Sequence, residues 1–329
     1  MFILLISLII FVLVSVLTFF SNNLFTRIFY TTVAIWLGFA FYLFLASLVV
    51  DLTSLILTIF RINISLNNFN VFCVLIAVIV SIYGVFHARK IFIKNIKVRL
   101  SNLPAGWEGR KVVWISDIHL GAVNGQSFSK KIVDKINKIN PDIIFIGGDL
   151  YDGVKVDESE VIKPFIELHP KLGIYFVTGN HEEFRDDKHF LDAIKNAGIH
   201  VLNNEMVMID GLQLIGVDDR DSTKAQKFKD ILVNLKIDKN KPSILLKHQP
   251  LQLDIAREAG ISMQISGHTH LAQIFPLNIF TKLIFRGYDY GLHLWQKMIV
   301  FTSSGVGTWG PPLRVGSNSE IIVFEFGII

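Results

Sequence analysis

The chain has 329 residues, of which 51% are apolar and 18% charged, with a formal net charge of +4. Soluble domains carry about 25% charged residues, so this composition excludes both intrinsic disorder and an ordinary soluble protein, and the mild positive charge argues against nucleic-acid binding. A single cysteine, Cys73, excludes an internal disulfide framework and a Cys-rich zinc site.

The apolar excess lies at one end. Residues 1–87 carry only three charged side chains, Arg27, Asp51 and Arg61. Three runs there reach the roughly 17–25 apolar residues needed to cross a bilayer: Met1 to Phe20, Ile28 to Val50, and Phe69 to Phe86. Leu52–Phe60, bracketed by Asp51 and Arg61, reads as an interfacial extension of the second run. The first run fits a signal peptide poorly, because no basic segment precedes it and no small-residue cleavage site comes after it. Residues 1–87 are therefore expected to be a membrane anchor of about three transmembrane helices. Asp51 is expected to mark a helix end rather than a transport pathway.

Directly after the third run come Arg89, Lys90, Lys94, Lys97 and Arg99. The positive-inside rule places residues 88 onward in the cytoplasm, and this strip would also meet anionic lipid headgroups. Residues 88–110 read as a basic juxtamembrane linker with a first strand, and 111–329 as the catalytic domain. In the latter, Val112–Ser116, Ile143–Ile146, Ile174–Thr178, Leu212–Val217, Ile244–Leu246, Ser262–Ile265, Met298–Thr302 and Ile321–Phe326 read as strands. Gln126–Ile139 has Phe128, Ile132, Ile136 and Ile139 on one helical face and is stopped by Pro141. His189–Ala197 and Thr223–Leu235 also fit helices. The fold class is α/β.

Five clusters of ligand-type residues come after five of these strands: Asp117-Ile118-His119, Gly148-Asp149 with Asp152, Gly179-Asn180-His181-Glu182, His248, and Gly267-His268-Thr269-His270. Residues two apart in a strand share a face, which would bring Asp117 beside His119 and His268 beside His270. Oxygen and nitrogen ligands without thiolate suit Mn, Fe, Zn or Ni. Their number exceeds one tetrahedral site and suits two metals sharing a carboxylate.

The order and spacing of these blocks resemble the calcineurin-like metallophosphoesterase superfamily, and Gly307-Thr308-Trp309-Gly310-Pro311-Pro312 with the N-terminal apolar runs resembles its membrane-anchored bacterial branch. The resemblance implies a four-layer sandwich of two mixed sheets flanked by helices. It also implies two divalent metal ions (Mn, Fe or Zn), one held by Asp117, His119, Asp149 and His270, the other by Asp149, Asn180, His248 and His268. His181 is then the candidate general acid. Asp152 and Glu182 are candidates for orienting its neighbours, and Trp309 and Arg314 for lining the substrate pocket. Leu271-Ala272 stand where that branch often has two glycines.

The implied activity is hydrolysis of a phosphodiester or pyrophosphate bond. Membrane-associated bacterial members include enzymes acting on UDP-2,3-diacylglucosamine, so a lipid-linked substrate in a bacterial inner membrane is one expectation. A membrane scaffold or receptor keeping a structural metal site is the alternative.

Overall fold

The computed structural model describes residues 2–21, 23–154, 156–184 and 188–328. Three helices come first: α1 (Phe2–Phe20), α2 (Leu24–Ile59) and α3 (Asn67–Ala88). All three are long and apolar enough to cross a membrane. Asn23 caps α2 through a reciprocal bond pair with Thr26, which ends the turn from α1 abruptly. Helix α2 runs unbroken through Asp51, so Leu52–Ile59 is its last two turns rather than a separate extension. Its 36 residues span about 54 Å at 1.5 Å per residue, well beyond the roughly 30 Å hydrocarbon core of a bilayer.

The surplus length is used for docking. The first half of α2 lies along the α/β part of the chain. Arg27 Nε donates to the carbonyl of Ala122 at 3.2 Å, and the Tyr42 hydroxyl donates to the carbonyl of Phe275 at 3.0 Å. Leu313 packs between the only two glycines of the first 88 residues, Gly38 and Gly84.

The twelve strands among the described residues are β1 (Ile91–Leu100), β2 (Lys111–Ile115), β3 (Ile143–Ile146), β4 (Ile174–Phe176), β5 (His200–Val201), β6 (Glu205–Ile209), β7 (Leu212–Gly216), β8 (Ser243–Leu246), β9 (Met263–Ser266), β10 (Gly291–Trp295), β11 (Met298–Thr302) and β12 (Ser319–Ile328). They form two mixed six-stranded sheets, ordered β1-β12-β2-β3-β4-β5 and β10-β11-β9-β8-β7-β6. Each has four adjacent parallel strands, β2 to β5 and β11-β9-β8-β7. Apart from the short edge strand β5, these strands are buried on both faces, which is why β2, β3 and β8 read as apolar runs. Val112, Trp114, Leu214, Leu246 and Phe301 fill the space between the sheets. Helices Gln126–Ile139 and Lys188–Asn196 cover one outer face, and Ala225–Asn234 with Leu253–Ala259 the other. The basic stretch after α3 becomes β1, paired along its full length with β12. Its alternation of Ile96, Val98 and Leu100 with Lys97 and Arg99 buries one face between the sheets, while Ile91 turns to the opposite face.

Candidate metal centre

The five ligand-bearing segments come after β2, β3, β4, β8 and β9, so both sheets deliver their C-terminal ends to one place. That is where open α/β folds gather ligands. The local reason differs from simple strand alternation. Asp117, His119, Asp149, His268 and His270 all adopt left-handed backbone, with φ between 49° and 69°. Such conformations are uncommon for non-glycine residues and cluster where surrounding structure enforces them. Here the enforcement is mutual. The Asp149 carbonyl accepts from the N–H of both Ile118 and His119 at 2.8 and 3.0 Å. The Asp117 N–H donates to the Gly148 carbonyl at 3.0 Å, and that of Gly267 to the His248 carbonyl at 2.9 Å. Glycine is required at two approaches: a Cβ at Gly179 would collide with the Asp149 carboxylate, and one at Gly267 with that of Asp117.

Two ligand groups result, with a third beside them. Asp117, His119 and His270 converge in one, and Asp149, His248 and His268 in the other, while His119, Asp152 and His181 form the third, each with ligand atoms mutually within 4.8 Å. His119 Nε2 lies 3.0 Å from His270 Nε2, and His268 Nδ1 lies 3.2 Å from His248 Nε2. Asp149 Oδ2 is 3.2 Å from His248 Nε2 and 3.8 Å from His119 Nε2, so this carboxylate faces both groups.

The tautomers favour ligation. His248 Nδ1 is 2.7 Å from the Gly147 carbonyl and His119 Nδ1 is 3.3 Å from Asp152 Oδ1. A proton on each Nδ1 leaves each Nε2 lone pair turned to the centre. Asn180 Oδ1 and Asp117 Oδ2 are buried with no hydrogen-bond partner. Buried acceptors are ordinarily satisfied, so these orphans, with imidazole nitrogens pressed together, fit a donor set made for divalent cations.

The electrostatics agree for His268, His270 and Asp149 and oppose ligation for His248, whose ring keeps a second proton until a cation displaces it. Burial and the charge of His248 push His268 down to about 3, and burial holds His270 well below its ordinary value. Both are thus neutral ligands at physiological pH. Burial opposes ionisation of Asp149, but the charges of His248, His181 and His119 outweigh it and hold its carboxyl well below the usual range. Burial likewise opposes protonation of His248, and the Asp149 and Asp117 carboxylates overrule it.

The neighbouring residues divide less simply. His181 lines the cavity beside the centre, close to His119 and Asp152. Its N–H donates to Asp149 Oδ1 at 2.9 Å, and its Nδ1 sits 3.1 Å from the Asp152 carbonyl. Asp152 thus lies beside two rings: its carbonyl is bonded to His181, and its Oδ1 approaches His119 Nδ1 without hydrogen-bond geometry. Glu182, fully buried, does not orient His181. It accepts the N–H groups of Asp149, Tyr151 and Gly179 at 2.9, 3.0 and 2.8 Å. Burial and the Asp149 charge push its pKa up to about 8.

Trp309, 55% exposed, lines the cavity with its ring edge-on to His181, the centroids 5.9 Å apart. Arg314 does not line it. Its guanidinium is fully buried, donates to the carbonyls of Ser304 and Gly307 at 2.6 and 2.7 Å, and lies 3.4 Å from His270 Nδ1. Its two terminal nitrogens are taken by backbone carbonyls and Ser317 Oγ inside the protein, away from the cavity. Leu271 and Ala272 keep left-handed φ of 50° and 54°, the conformation of the glycines they replace, and Gln273 continues it at 60°.

Sequence reasoning missed the far wall of the cavity, formed by Leu4 and Leu8 of α1 and Leu37, Gly38 and Phe41 of α2. The one available signal was Gly38, which with Gly84 interrupts otherwise bulky apolar helices.

The family profile of calcineurin-like phosphoesterases matches residues 110–272. A metallophosphoesterase of Aquifex aeolicus is 34% identical over 256 residues, covering 75% of this chain and 96% of its own. One from Helicobacter pylori strain J99 is 36% identical over 215 residues, 64% of this chain and 58% of its own. A "transmembrane protein with metallophosphoesterase domain" from Danio rerio is 30% identical over 270 residues, 76% of this chain and 61% of its own. The chain thus spans about 60% of the length of the latter two. On the order of its ligand blocks, its two-sheet fold and these similarities, the chain belongs to the calcineurin-like metallophosphoesterase family.

Proposed function

We propose that this protein is a membrane-anchored, metal-dependent hydrolase of phosphodiester or pyrophosphate bonds in a lipid-linked substrate. The observation that carries the reaction class is the pair of ligand groups facing one carboxylate, Asp149, with a further histidine, His181, gathered beside them with His119 and Asp152. A structural metal site needs neither feature.

Two divalent ions, one held by Asp117, His119, Asp149 and His270 and the other by Asp149, Asn180, His248 and His268, would acidify water and neutralise phosphoryl charge. The chain's own groups do the rest. Asp152 stands beside the His119 ring. Glu182 ties the Asp149 and Asn180 loops together. His181, anchored at Nδ1, protonates the leaving oxygen. Trp309 walls the side of the cleft next to it.

The three apolar helices and the transmembrane relatives support residence in a membrane. Arg89 and Lys90 at the end of α3 support a cytoplasmic catalytic domain by the positive-inside rule, and an inner bacterial membrane is the corresponding location. The lipid-linked substrate is supported by a cavity shared between the ligand groups and the membrane helices.

The test is turnover of bis(p-nitrophenyl) phosphate by the purified full-length chain with Mn²⁺ added and then chelated. Turnover that requires metal and drops with His268→Ala supports the reading. No metal-dependent turnover, with His268→Ala indistinguishable from the parent, overturns it in favour of a scaffold.

A further inference from the structure

The cavity at the metal centre has a volume of about 670 Å³, within the range of small-molecule sites. Its two ends differ in chemistry. One is the ligand cluster with His181. The other is hydrocarbon: Leu8 and Leu37 from the membrane helices face Ile274 and Leu277 from the segment after β9. Among the described residues no Lys or Arg lines it.

The rim continues the same character. Beyond Ile274 and Leu277 the chain exposes Phe275, Ile279, Phe280, Leu283 and Ile284, each more than half exposed. An exposed apolar patch of this size marks an interaction surface. Its position beside α2, where Tyr42 bonds the Phe275 carbonyl, sets it against a spanning helix. The mouth of the cavity is therefore bordered by two surfaces suited to lipid.

We infer that the hydrocarbon end of this cavity is a tail subsite, which takes one long hydrocarbon chain of a membrane phosphoester while the phosphate reaches the ligand cluster. The inference rests on the hydrolase reading above and adds where the lipid is recognised. Drawing a lipid phosphate to a polar centre through water would expose methylenes, at about fourfold per group in the equilibrium constant. A path lined by Leu8, Leu37, Ile274 and Leu277 removes that penalty. The helices of the anchor thereby serve as a wall of the binding site.

The experiment uses the full-length chain in nanodiscs with ethyl, octyl and hexadecyl p-nitrophenyl phosphate and Mn²⁺. The hexadecyl ester is expected to turn over at least tenfold faster than the ethyl ester at equal concentration. Leu37→Trp and Leu8→Trp, which fill the tail end, are expected to lower that ratio at least fivefold with metal content retained. Should either fail to fold, Leu37→Ala is expected to shift the preference toward longer chains. Rates independent of chain length, or a ratio indifferent to all three substitutions, overturn the tail subsite while leaving the hydrolase reading intact.

A second measurement needs no turnover. Hexadecyl phosphate with a diazirine at its chain end is expected to label Ala272 and Ile274, and to lose that label in Leu37→Trp. Labelling confined to the outer faces of α1 to α3 overturns the subsite. Labelling at Ala272 and Ile274 without turnover of any ester overturns only the hydrolase reading.

Discussion

The side chain of Leu313 fills the notch that Gly84 leaves in α3: a Cβ at Gly84 would lie 2.9 Å from Leu313 Cγ. On the other side a Cβ at Gly38 would come within 3.0 Å of Leu313 Cδ1. The next residue, Arg314, donates its N–H to the Gly84 carbonyl at 3.0 Å. Two membrane helices thus grip one residue whose neighbour braces the metal loops. Gly84→Val is expected to cost about 1–3 kcal/mol by overpacking, read as a lower Tm in detergent, with Gly84→Ala costing less.

The bridging geometry predicts an asymmetry in metal content. Asp149→Asn should deplete both ions, whereas His268→Ala should deplete one, as counted by inductively coupled plasma mass spectrometry. Asp152→Asn should weaken only the ion held by His119, by roughly 10–100-fold, because it releases the ring's orientation rather than a ligand. Equal loss of both ions in the His268 variant would contradict the division into two sites.

The role of His181 predicts a pH limb. Burial lowers its pKa, against the partly compensating Asp149 carboxylate. The acid form is therefore lost as pH rises through a value below about 6.5. For an ester with an alkoxide leaving group, kcat/KM should fall over that range. His181→Asn should flatten the limb and slow the reaction by about 10²–10⁴. A p-nitrophenyl ester, whose leaving group needs little protonation, should lose far less.

Lys247 offers a stability test. It is fully buried, and burial lowers its pKa from 10.5 to about 8 against the attraction of Asp219. Between those values the unfolded chain holds a proton that the folded chain lacks, so stability rises with pH there. Below pH 8 the cost of the buried charge is constant. Lys247→Met should therefore be more stable than the parent at pH 7, by up to about 3 kcal/mol. That advantage should shrink toward pH 10.5. Paired thermal melts across pH 7–10 check it.

Leu271 and Ala272 hold glycine-type backbone without being glycine. The left-handed region costs an L-residue about 1–2 kcal/mol, while glycine costs roughly 0.5–1 kcal/mol in lost chain freedom. Ala272→Gly should be neutral to about 1 kcal/mol stabilising, measured by urea unfolding. Ala272→Val should destabilise.

The ligand set was legible because it consists of short local motifs. Asp117 and His119, or His268 and His270, announce themselves at fixed spacing. Their common orientation was not: it comes from left-handed turns enforced by bonds such as His119 N–H to the Asp149 carbonyl, and no spacing rule contains that. The strands β2, β3 and β8 were readable as apolar runs because both faces are buried. The first strand expected within 88–110 is β1, whose bounds Lys94, Lys97 and Arg99 obscured by interrupting its apolar positions. Arg314 misled for a related reason. A guanidinium suggests an anion, but its partners are backbone carbonyls, which carry no sequence signal. The cavity wall joins Leu8 to Ile274, and nothing in a single sequence pairs residues so far apart.

Glu182 has a consequence of its own. One carboxylate receives three amides from two different strand ends, two from the loop of Asp149 and one from that of Asn180. Glu182 itself belongs to the Asn180 loop, so the two loops cannot drift apart without breaking its bonds to the Asp149 and Tyr151 N–H groups. The distance between the ion positions is therefore a property of this acid's reach as much as of the ligands. A chimera that exchanges one loop with a relative's would keep its spacing only if the acid travels with it.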